Sequence, residues 1–136
     1  MNWDINVAAG LVAGVAAMVP GWIIYAPQVL GKQWMKEIGT SPEKIQAEGN
    51  PTVAVAKMFV TSLVNGLVAS TVVWSAGAHT FKDAFLLSLL LGWFWVAANL
   101  MLVYFENRSW KWFKITALSH VLTAAVIGVV LGLFIK

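Results

Sequence analysis

The chain has 136 residues, of which 60% are hydrophobic and only 11% charged, with eight tryptophans, no cysteine and a mean hydropathy of +0.77. A soluble domain carries about 25% charged residues, so this composition cannot build a water-facing surface and makes lipid the solvent. The net charge of +3 finds no soluble basic face, which argues against a nucleic-acid partner; the basic residues read instead as topology signals. Without cysteine, disulfides, thiolate catalysis and cysteine-ligated metals are excluded.

The length predicts one domain, residues 1–136. Four apolar runs, over residues 5–25, 53–75, 84–105 and 113–135, each approach the roughly 20 residues that cross a hydrocarbon core. They do not alternate in polarity as barrel strands do, and lipid offers no partner for an unpaired backbone group. The fold class is therefore all-α, an integral membrane four-helix bundle. The first run opens with Asp4 where a signal peptide would carry a basic region, so it reads as a retained helix. Pro20 removes the bond to the Ala16 carbonyl and should kink that helix; packing explains such a kink, and a bend opening space beside later helices is the functional alternative.

Between the first two spans, Val29, Leu30, Trp34, Met35 and Ile38 recur at helical spacing opposite Lys32, Gln33, Lys36 and Glu37. This predicts a short amphipathic helix over residues 27–39 in the interface, ended by Gly39. Ser41 and Pro42 then supply an N-cap and a first helical residue. The short turn at residues 76–83 and the elbow at residues 106–112 make helices 2, 3 and 4 successive antiparallel neighbours. Glycine and alanine spacings at Gly10 and Gly14, at Gly66 and Ser70, and at Ala124, Gly128 and Gly132 mark close helix approach, within one chain or across a dimer.

Lys32, Lys36, Lys44, Lys57, Arg108, Lys111 and Lys114 flank one side of the membrane, and Lys82 and Lys136 the other. The positive-inside rule makes the first side cytoplasmic and places both termini outside, in a multi-pass protein of the cell (inner) membrane. Trp3 and Trp74 on one side, and Trp22, Trp34, Trp110 and Trp112 on the other, form interfacial belts. Arg108, Lys111 and Lys114 beside Trp110 and Trp112 form an anchor for anionic lipid headgroups on the cytoplasmic face. Glu106 and Arg108 should pair with each other or with Lys111.

The polar residues of the spans are harder to assign to lipid contact. Trp93 and Trp95 lie mid-helix, and Ser88, Gly92, Asn99 and Glu106 share the Trp95 face. Thr116, Ser119, His120 and Thr123 share a face of the last helix, while Lys57, Thr61 and Asn65 follow one stripe of the second. An ionisable residue inside a membrane helix is a functional-site candidate. Thr61, Asn65, Trp95, Asn99 and His120 are therefore the candidate site, either a ligand-binding polar cluster or a clasp in which His120 bonds Asn99 or Thr116. No second imidazole lies near His120, so neither metal nor cofactor is expected, and no catalytic set is visible.

The opening Met1-Asn2-Trp3, the run Tyr25-x-Pro27-xxx-Gly31-Lys32-x-Trp34-Met35-Lys36, the elbow Phe105-Glu106-Asn107-Arg108-x-Trp110-Lys111, Ile115-Thr116-xxx-His120 and Gly128-xxx-Gly132 stand in this order. In these motifs the chain resembles the small bacterial membrane proteins of domain-of-unknown-function family 1761. The resemblance implies a four-helix integral membrane protein without an assigned activity, and it carries over no catalytic residue. Members often have Asn where this chain has Thr116 and Tyr where it has Ser119.

The expected function is thus a small polytopic membrane protein, a non-enzymatic accessory subunit or small-ligand-binding module. Its partners are the bilayer and, as an open question, a second copy or a larger membrane complex. A small dimeric transporter is the first alternative, although no acid lies inside the first span. A membrane enzyme acting on a lipid or quinone is the second, for which Glu106 and His120 would have to meet as an acid–base pair.

Overall fold

A computed structural model describes residues 4–135. The expectations that rest on Met1, Asn2, Trp3 and Lys136 lie outside those residues. The described chain is all-α, with four helical segments long and apolar enough to cross a membrane: Val7–Ile24, Pro51–Ser75, Phe81–Phe105 and Trp110–Leu133.

The first crossing is built from α1 (Val7–Ala16) and α2 (Met18–Ile24). The Asn6 side chain caps α1 by accepting the Ala9 N–H at 3.0 Å. The helix breaks at Ala17, where Pro20 has no N–H to offer the Ala16 carbonyl. A π-helical turn, Pro27–Gly31, follows; the Gly31 N–H reaches the Ala26 carbonyl at 3.0 Å. Helix α3 (Lys32–Ile38) continues from it, so the single amphipathic helix expected over residues 27–39 is a π turn followed by an α-helix. Gly39, at φ 73°, ends α3 in the left-handed conformation that glycine adopts without steric penalty. Helix α4 (Pro42–Glu48) starts with the Ser41 hydroxyl accepting the Lys44 N–H at 3.3 Å.

The three remaining crossings begin earlier than their apolar runs suggest, because each starts at its cap. Asn50 caps α5 (Pro51–Ser75), Thr80 and Asp83 form a reciprocal box at α6 (Phe81–Phe105), and Ser109 caps α7 (Trp110–Leu133). The cap residues are polar and the first turns amphipathic, so a reading based on hydropathy passes over them.

The pairing follows the short elbow between α6 and α7 but not the short turn between α5 and α6. α5 packs against α1, α6 packs against α7, and α7 also touches α1 and α2. α5 and α6 are joined by a short turn yet touch only lightly, so the expected close neighbourhood of the second and third spans is a loose one. The core is made of small residues: Ala9, Ala13, Ala17, Ala69, Val73 and Ala84, closed by Ile127 and Leu131. With no hydrophobic effect between helices in lipid, close backbone approach supplies the packing. At Gly66 any Cβ would collide with the Gly10 carbonyl oxygen and the Gly14 backbone, and at Gly128 it would lie 2.9 Å from the Phe85 Cα. Both small-residue stripes are used within one chain.

The light contact between α5 and α6 leaves a cleft. Every residue of α5 from 51 to 61 is exposed, and burial begins only at Gly66 where α1 meets the helix.

Candidate functional site

Thr61, Asn65, Trp95, Asn99 and His120 line one cavity of about 370 Å³, together with Ala98. Three helices supply them: α5 gives Thr61 and Asn65 one turn apart, α6 gives Trp95 and Asn99 one turn apart, and α7 gives His120. The Trp95 and His120 rings stand 5.7 Å apart between centroids, tilted by 58°. That contact sets the imidazole beside Trp95 of α6.

Two of the five polar groups turn back onto their own helices. The Asn99 amide donates to the Trp95 carbonyl at 2.8 Å, and the Thr61 hydroxyl donates to the Lys57 carbonyl at 2.9 Å. Asn99 and Thr116 therefore do not clasp His120: the Thr116 hydroxyl is buried without a hydrogen-bond partner, and the imidazole meets α6 through Trp95. Among the described residues, neither Asn65 nor His120 makes a side-chain hydrogen bond within the protein.

The cleft extends in both directions from this cavity. On one side a space of about 360 Å³ adds Met18, Gly21 and Tyr25 of the first crossing, Lys57 and Ser62 of α5, and Ser119 and Thr123 of α7. The residues around the helix break, Ala17, Met18 and Gly21, thus border the same space as His120. On the other side a space of about 230 Å³ continues between α5, α6 and α7 past Ser88, Leu91 and Ile127. Asn65 and Trp95 border all three spaces, which therefore adjoin one another along the α5–α6 gap. Ser88 is only 2% exposed, and its hydroxyl has no hydrogen-bond partner. Its place on the Trp95 stripe was the available signal. Met18 and Gly21 gave no comparable signal, since nothing in their local pattern sets them apart from packing residues.

Trp93 needs no site: at 64% exposure it faces outward from the bundle. Trp112 is buried in the first turn of α7, with the Arg108 guanidinium 5.8 Å above its ring.

The basic residues of the elbow are engaged unequally. Arg108 lies 3.7 Å from Glu106, and Lys111 lies 3.9 Å from Glu37 of α3. The Ser109 hydroxyl donates to the same Glu37 carboxylate while accepting the Trp112 N–H at 3.0 Å. Lys114 is exposed and forms no ion pair among the described residues. This arrangement ties α3 to the start of α7 and leaves Lys114 as the most available cation of the three. Among the described residues no three His, Cys, Asp or Glu side chains come together as a metal site.

Comparisons with curated proteins and with solved structures each gave no match. The family model described as "Protein of unknown function (DUF1761)" matches residues 8–132, nearly the whole chain. With its four apolar crossings, the chain is a small polytopic membrane protein that belongs to the DUF1761 family.

Proposed function

We propose that this protein is a non-enzymatic ligand-binding module of the inner membrane, which holds a small molecule in the cleft between α5 and the α6–α7 pair. The observation that carries the reading is the state of Asn65 and His120. Both border an open cavity and neither is hydrogen-bonded within the protein. In hydrocarbon a polar side chain without a partner is unfavourable, and structural residues in membrane helices normally find one across an interface. A ligand with hydrogen-bonding groups would meet both side chains, with Trp95 as an aromatic wall. The absence of a neighbouring carboxylate from the lining favours binding over acid–base catalysis.

In this reading the end of the cleft near Lys57 faces the cytoplasm, a placement that the charge asymmetry of the loops favours. Lys114, with Arg108 and Lys111 beside it, contacts anionic headgroups on that face.

The test is native mass spectrometry of the full-length protein released from its own membranes. The expected result is a retained small molecule that is lost on Asn65→Leu and on Trp95→Leu. A protein that carries nothing, in the parent and in both variants, sinks the binding reading.

A further inference from the structure

We propose that the occupant of the cleft is the ring of a membrane-dissolved quinone. The proposal rests on the binding reading above and adds the chemical class of the ligand. Three observations converge on it.

The inner part of the cleft is lined without any Lys, Arg, Asp or Glu. A charged headgroup would be desolvated there with no counter-charge, at a large penalty. The cleft's one charged side chain, Lys57, belongs to the outer space beside Tyr25. A neutral ligand fits the inner region.

Hydrogen-bonding groups sit in two places along that region. His120 borders one space, Ser88 with its unpartnered hydroxyl borders the next, and Asn65 lines both. A buried hydroxyl without a partner is unfavourable, because it has given up water and gained no bond in return. A ligand carrying an acceptor at each end of a short rigid body would satisfy both, and a quinone ring has two carbonyl oxygens on opposite sides. The groups that donate to a quinone can also accept from the corresponding quinol.

The walls suit a flat ring entering from lipid. Trp95 lines the inner spaces, and Phe94 lies at the edge of the one that contains Ser88. Phe94 is 70% exposed and Val68 opposite it on α5 is 52% exposed, so the gap between α5 and α6 opens sideways to the bilayer. Offset stacking against such rings is favourable. A lipid-soluble molecule reaches this gap without crossing water.

The experiment uses the full-length protein in vesicles of zwitterionic lipid, titrated with a decyl-substituted benzoquinone. Tryptophan quenching reports contact, with decanoate as a competitor that has a similar tail, a charge and no ring. The expected result is saturable quenching whose saturable part disappears in Trp95→Phe and resists decanoate. Ser88→Ala should weaken binding about three- to tenfold, the loss of one hydrogen bond. Because the Ser88 hydroxyl has no partner within the protein, that variant should fold as the parent does. Quenching that rises linearly with quinone, equal displacement by decanoate, or unchanged affinity in Ser88→Ala each overturns the proposal. If the quinone fails while mass spectrometry still finds a retained molecule that Asn65→Leu loses, the quinone assignment falls and the binding reading stands. If nothing is retained, both fall.

Discussion

The two main helix pairs of this molecule solve the same problem differently. α1 and α5 approach through Gly10, Gly14 and Gly66, and then add hydrogen bonds across the seam. The Ser70 hydroxyl both donates to the Asn6 carbonyl at 2.8 Å and accepts its N–H at 3.2 Å, and the Ser62 hydroxyl donates to the Gly14 carbonyl at 2.7 Å. α6 and α7 approach through Gly92, Ala124 and Gly128, and their buried hydroxyls, Ser88 and Thr116, remain unpartnered. In lipid, small residues alone bring two helices together; hydroxyls can strengthen the seam or be held in reserve for something else. The pair with unused hydroxyls is the one that borders most of the cleft.

Substitutions that attack each seam should separate these two designs. The largest effect belongs to Gly66→Ala, whose methyl group would meet backbone atoms of Gly10 and Gly14 that cannot swing aside. A loss of about 3 kcal/mol, the upper end of ordinary overpacking, is expected in denaturant unfolding in detergent. Gly128→Ala would press on the Phe85 Cα and the Ser88 Cβ at 2.9 and 3.0 Å, a milder overlap than at Gly66, and should lose about 1.5 kcal/mol in the same assay. Equal losses at the two positions would contradict the tighter fit of the α1–α5 seam.

The hydroxyls then distinguish the seams a second time. Ser70→Ala removes both bonds to Asn6 and should destabilise by about 1 kcal/mol. Ser88→Ala in ligand-free protein should change stability by less than about 0.5 kcal/mol or raise it, because no bond is lost and a buried polar atom disappears. A loss at Ser88 as large as that at Ser70 would show that the hydroxyl is engaged in the fold after all.

Much of this architecture was legible from the residues. The four crossings follow from apolar length, and the caps at Ser41 and Gly39 follow from local backbone chemistry that needs no tertiary context. Thr61, Asn65, Trp95, Asn99 and His120 could be placed at one depth by counting turns, and the structure brings them around one cavity. The α6–α7 pairing follows from their short elbow, but the partner of α5 was not legible. A short turn at Gly77 suggests that α5 and α6 pack, but glycine stripes on α1 and α5 decide the partner, and a stripe does not name the stripe it fits. Asn99 was equally opaque. An amide in a helix can reach across to a neighbour or back to its own preceding turn, and here it takes the Trp95 carbonyl.

The uneven pairing also orders events in time. α6 and α7 are separated by only the four residues from Glu106 to Ser109, whereas α1 and α5 are separated by α2, the π turn, α3 and α4. Closing a short loop loses less chain entropy and contacts of low sequence separation form sooner. The α6–α7 hairpin should therefore assemble first, with the α1–α5 pair completing the cleft around it. Pulsed hydrogen exchange during refolding would show the amides of α6 and α7 protected ahead of those of α1 and α5; the reverse order would refute a nucleus at the hairpin.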